Sequence, residues 1–144
     1  MTTAAEYSLS PEVAGDFGAE SVLDTTKHPP VVSRLHYEFE GWDGDDIVAT
    51  FPVTIVTDAL AKAILEHGLT GAKFDDVIVT KDPQFEMFFP TEAAALPNWR
   101  WLRPVGRPHA ADFWQKENGE LVVSDRALRL LRQFHLNHAE IEEA

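Results

Sequence analysis

One short structural sentence occurs twice in this chain. Residues 54–77 (TIVTDALAKAILEHGLTGAKFDDV) align without a gap on residues 121–144 (LVVSDRALRLLRQFHLNHAEIEEA), 67 positions later. Val56/Val123, Asp58/Asp125, Leu69/Leu136 and Ala72/Ala139 are identical. Ile55/Val122, Thr57/Ser124, Lys62/Arg129, Ile64/Leu131, Phe74/Ile141 and the acidic pair Asp75-Asp76/Glu142-Glu143 exchange like for like. Any fold for this chain must therefore accommodate the same local unit twice.

The unit reads as strand, cap, helix, turn, strand. Thr54-Ile55-Val56 and Leu121-Val122-Val123 suit a pleated, half-buried surface, and Thr57 or Ser124 follows with a hydroxyl at the helix N-cap. Asp58 and Asp125 then place a carboxylate at the positive end of the helix dipole. Leu60, Ala63 and Ile64 share one helical face, as do Ala127, Leu130, Leu131 and Phe134, so each helix should pack on a sheet. Gly68 lies where a left-handed residue ends the first helix, with Leu69 as its apolar contact, and His135 holds the matching place in the second copy.

Outside the repeat, residues 1–30 carry weak periodicity and the breakers Pro11, Gly15, Gly18, Pro29 and Pro30, which predicts an irregular N-terminal arm. Residues 31–40 alternate Leu35, Tyr37 and Phe39 against His36, Glu38 and Glu40, the period of a strand with one wet face. The turn Trp42-Asp43-Gly44-Asp45-Asp46 leads to a returning strand, Ile47 to Phe51, as the second arm of a hairpin, and Pro52 interrupts before the first repeat. Phe74 to Thr80 reads as one strand, Lys81-Asp82-Pro83 as a turn, Gln84 to Phe89 as an aromatic strand or packed loop, and Trp99 to Val105 as the last new strand before the second repeat. The expected fold is α+β in a single domain spanning 1–144: a mostly antiparallel sheet with two related strand-helix-strand units, 54–77 and 121–144.

At 144 residues, with 44% hydrophobic content, nine Phe and four Trp, the chain can bury a core without staples. No stretch approaches the roughly 20 apolar residues of a membrane span, and the acidic N-terminus is unlike a signal peptide, which points to the cytosol. The absence of cysteine removes disulfides, thiolate zinc sites and cysteine nucleophiles. Twenty-four acids against twelve bases leave a formal charge of −12. That field repels nucleic acid and anionic lipid and attracts cationic partners over a Debye length of about 8 Å. Glu38, Glu40, Asp43, Asp45, Asp46 and Asp58 fall between Arg34 and Lys62 with no base among them. This block either solvates the surface or faces a partner.

Four constellations bear on chemistry. The turn at Asp43 to Asp46 lacks the alternating donors and distant Glu of a calcium loop. His135 and His138 end a helix in a turn, where two ring nitrogens need not converge on zinc. The hydroxyls beside Asp58 and Asp125 serve as caps, and no Ser or Thr sits in a nucleophile elbow. No cofactor, metal or enzymatic activity is expected. The fourth is a local reversal of sign, PNWRWLRPVGRPH, where Arg100, Arg103, Arg107 and His109 interleave with Trp99 and Trp101. On a strand, Trp99, Trp101 and Arg103 share one face and Arg100 and Leu102 the other. Three uses stay open: pairing with the chain's own carboxylates, anchoring an interface, or holding a small anion.

The paired units VTIVTDALAKAILEHGLTGAKFDDV and LVVSDRALRLLRQFHLNHAEIEE, with PQFEMFFP and WRWLRPVGR between them, resemble the immunity proteins of bacterial polymorphic toxin systems, in particular the double-CXXCG motif family and its relatives lacking those cysteines. The similarity covers roughly residues 35–144. It implies a small cytosolic protein that binds and neutralises a cognate toxin domain by stoichiometric occlusion. With no CXXC present, the metal knuckle of the family name is not carried over. The acidic surface implies a basic partner, met by Glu38, Glu40, Trp42, Asp43, Asp45 and Asp46 together with Trp99, Arg100, Trp101 and Arg103. Two rivals stand beside it. One is a small anion- or metabolite-binding domain or enzyme using Arg100, Arg103, Arg107 and His109. The other is an interaction module that self-associates through an exposed strand. The expected state is a monomer or weak homodimer.

Overall fold

The computed structural model describes residues 5–144. In chain order it contains β1 (Glu6–Ser10), β2 (Glu12–Val13), β3 (Gly15–Phe17), β4 (Val22–Asp24), β5 (Val31–Arg34), β6 (His36–Phe39), β7 (Ile47–Thr50), β8 (Val53–Thr57) and α1 (Asp58–Glu66). There follow β9 (Ala72–Asp75), β10 (Ile78–Lys81), α2 (Pro83–Phe88), α3 (Pro90–Ala94), β11 (Trp99–Pro104), β12 (Phe113–Gln115), β13 (Leu121–Ser124), α4 (Asp125–Leu131) and β14 (Glu140–Glu143). The fold is α+β with sheets that are mostly antiparallel; among the described residues only β10 with β6 and β2 with β7 pair in parallel.

Both repeats fold as strand, helix, strand, and their caps form as the hydroxyls predict. Thr57 Oγ1 accepts from Leu60 N at 3.3 Å and Ser124 Oγ from Ala127 N at 3.1 Å. In neither unit do the two strands pair with each other. A third strand enters between them, antiparallel to both: β11 between β8 and β9, and β1 between β13 and β14. The registers match. Leu102 lies opposite Thr54 and Phe74, and Leu9 opposite the equivalent Leu121 and Ile141. The outer neighbours match too, since Ile47 of β7 faces Val56 and Phe113 of β12 faces Val123. The internal symmetry thus extends beyond the repeat into segments whose sequences show no likeness.

Two clusters form the interior. The first joins the two units through equivalent positions: Leu9 and Leu102, Ile47 and Phe113, Val56 and Val123, Leu60 and Ala127, Ile64 and Leu131. The second lies on the opposite face of the five-stranded sheet β2-β7-β8-β11-β9, where Val48, Ile55, Trp99 and Trp101 meet Tyr37 and Phe39 of the sheet β10-β6-β3 and Phe85 and Ala93 of the short helices. Packing on both faces leaves every residue of β8 buried.

Several expectations are corrected. Within the supposed arm at 1–30, residues 5–30 contain four strands; its first four residues lie outside the described residues. Leu9 is buried and β1 is central to its sheet, so pairing with distant strands outweighs weak local periodicity. No hairpin joins 31–40 to 47–51, because β6 and β7 belong to different sheets. The supposedly wet face of β6 is covered at His36, whose ring accepts from Glu20 N at 3.1 Å and meets Thr80 Oγ1 at 2.6 Å. Residues 74–80 break into β9 and β10, again in different sheets. Gln84 to Phe89 is largely helical: Asp82 caps α2 by accepting from Gln84 N at 2.8 Å, and Pro83 takes the first turn, where its missing N–H costs nothing. The strand β12 lay unread between the last predicted strand and the second repeat. Gly68 does end α1 in the left-handed region, at φ 64°, with Gly68 N on Leu65 O and Leu69 N on Ile64 O, a Schellman closure. His135 does not copy it. The chain after α4 tightens through Gln133 N on Leu130 O and Phe134 N on Leu131 O, and the His135 N–H goes to Asp46 instead.

Candidate functional site

The acidic turn before β7 is divided between interior and surface. Asp45 is fully buried and accepts from Asn137 N at 3.1 Å and His138 N at 2.8 Å. Asp46 accepts from the Thr57 hydroxyl at 2.9 Å and from His135 N at 2.8 Å. Both carboxylates therefore fasten the turn that follows α4, and Asp45, expected at a partner, does not reach the surface. Trp42 is half-buried, its indole N–H donating to Asp45 O at 2.8 Å. Asp43 and Glu40 point outward, with Glu38 partly covered.

Asp46 has a counterpart in Asp112, which precedes β12 as Asp46 precedes β7. Asp112 accepts from the Ser124 hydroxyl at 2.6 Å and from Thr70 N at 2.8 Å, so each unit's cap residue is bridged to the other unit's post-helix turn. Arg126 adds a bidentate pair at 2.8 and 2.6 Å. Burial by itself pushes the Asp112 carboxyl up, but the guanidinium, both hydroxyls and the Thr70 N–H outweigh it and hold the group far below the usual carboxylate range.

The arginine-tryptophan segment is split by its strand. Trp99 and Trp101 are buried in the second cluster, so neither expected contact is free on the surface. Arg103 lies over the Trp101 ring at 4.7 Å and pairs with Asp75 at 2.9 Å, which draws the Asp75 carboxyl below its ordinary value. Arg100 is exposed. His109 sits beyond the end of β11, bonded to Glu6 Oε1 at 2.7 Å and edge-on to Trp114. Arg103 and His109 line different depressions, and the fold does not gather the four cationic residues around one ligand.

A different surface lies where two segments without bases meet. Residues 35–61 and 82–99 contain no Lys or Arg, and the fold splices them edge to edge: Asp82 N donates to Phe39 O at 2.8 Å and Asp58 N to Asn98 O at 3.0 Å. On the second segment Met87, Phe88 and Phe89 are 70, 66 and 52% exposed, consecutive, and flanked by exposed Glu86 and Glu92. Phe85 and Ala93 point the other way and anchor α2 and α3 in the second cluster. Sequence reading missed this triplet as a surface. The signal Asp82-Pro83, a cap followed by a first-turn proline, marks a helix start, but Phe85, Phe88 and Phe89 at i, i+3 and i+4 would share one face of that helix, so the outward turn of Phe88 and Phe89 was not legible.

Comparison of the chain with protein-family models and with curated proteins returned no match.

Proposed function

We propose that this chain is a binding protein of the immunity type, acting by stoichiometric occlusion of a basic toxin domain. The observation that carries the reading is the exposed Met87-Phe88-Phe89 run, on a segment, 82–99, that holds acids and no Lys or Arg. Large apolar side chains in sequence, held outward on elements anchored from beneath, supply the desolvated centre that interface energetics require. Glu40, Glu86 and Glu92 supply a rim that steers a cationic partner and raises its association rate more than its final affinity. An immunity protein is also what the paired units lead one to expect, and no turnover is needed.

The test is calorimetric and kinetic titration against any toxin domain that a gene adjacent to this one encodes. A one-to-one complex is expected, weakening with salt. Phe88→Ala should cost about 1–3 kcal/mol of binding, mostly through faster dissociation. The triple charge reversal of Glu40, Glu86 and Glu92 to Lys should slow association and flatten its salt dependence. A complex indifferent to both sets of changes removes this surface from the account.

A further inference from the structure

Three segments remote in sequence bring a histidine and two carboxylates together at the end of the five-stranded sheet. His138, in the turn after α4, offers its backbone N–H and its ring Nδ1 to the buried Asp45, at 2.8 and 3.1 Å. When the ring is neutral and Nδ1 donates to the Asp45 carboxylate, Nε2 presents its lone pair. Nε2 lies 3.9 Å from Asp43 Oδ2, and one donor atom each from Glu12 of β2, Asp43 and His138 lie within 4.8 Å of one another. Independently, Glu12 Oε2 is shielded from solvent and has no hydrogen-bond partner. An orphaned carboxylate oxygen is costly to bury unless a cation or proton compensates it.

We propose that Glu12, Asp43 and His138 form a zinc-binding site in which Asp45 orients the imidazole. The order carboxylate, histidine, metal is the arrangement by which proteins fix a ligating tautomer. A nitrogen donor with two carboxylates suits zinc and disfavours magnesium and calcium, which take oxygen. Tetrahedral zinc holds its donors about 3.3 Å apart. The Asp43 side chain is 66% exposed and has room to swing inward to that spacing. Three protein donors leave one position for water, and the ion would clamp β2 and the turn before β7 to the second repeat.

Calorimetry and thermal melting of the whole chain with zinc chloride at neutral pH provide the test. The expected result is one zinc per chain, a rise in melting temperature, and binding at least tenfold weaker in Asp43→Asn and in Glu12→Gln. Asp43→Asn alters only an exposed side chain, so loss of binding there is not loss of fold. Cobalt should give visible absorption bands in the natural chain that are missing from Asp43→Asn. Absence of stoichiometric zinc binding, undiminished binding in both variants, or displacement by equimolar magnesium would each overturn the assignment.

Discussion

Asp112 and Asp46 do at the level of single side chains what the repeat does at the level of segments. Each accepts the hydroxyl of its own unit's cap residue and an N–H from the other unit's turn. They differ in the side chain beside them, the Arg126 guanidinium for Asp112 and the His135 ring, at 3.3 Å, for Asp46. Since the folded Asp112 carboxyl is depressed below the ordinary aspartate value of 3.8, it contributes stability that is present above that pH and is lost as pH falls through the folded value. Asp112→Asn should cost about 2–3 kcal/mol at neutral pH, because Arg126, Ser124 and Thr70 lose their ionised acceptor. Urea denaturation at pH 7 and pH 3 should show the variant's deficit shrinking at the lower pH. An equal deficit at both would mean that the ionised form is not what matters. Neither aspartate was readable as a clamp, since its partners come from elements that only the tertiary fold brings near.

At the scale of elements, the parts written in contiguous residues were legible. The β-branched runs, the hydroxyl caps, the amphipathic helices and the glycine end of α1 all depend on neighbours within one or two turns. What escaped depends on distant pairing: β1 is a strand because β13 and β14 flank it, and Phe74 to Thr80 is two strands because two sheets claim its ends. The site divides the same way. The acidity of residues 35–61 was visible, whereas its continuation across α2 and α3 needed the splice at Phe39 and Asp82. The caps themselves carry a prediction. Thr57→Ala and Ser124→Ala should each lower stability by about 1–2 kcal/mol, at the upper end for a cap because the hydroxyl also donates to a carboxylate. Thr57→Ser should recover most of the loss in chemical denaturation, and failure to recover it would assign the cost to the missing methyl instead.

For the molecule as a whole, the internal symmetry predicts that equivalent core positions bear equivalent loads. Leu9 and Leu102 are 2 and 0% exposed and occupy matching places in the inserted strands. Leu9→Ala and Leu102→Ala should each cost about 2–5 kcal/mol, and by similar amounts, when measured by urea titration. A much smaller cost for Leu9 would show that the first strand is only loosely joined to its sheet. That first strand has a further consequence. Glu6 O receives the N–H of Ala144, and Leu9 lies against Ile141, so the earliest described strand is zipped to the last. A ribosome adding roughly 5–20 residues per second keeps β1 waiting many seconds for both flanking strands. The nascent first unit, whose β8, α1, β9 and β11 emerge sooner, can assemble in the interval and serve as the template on which the later one closes.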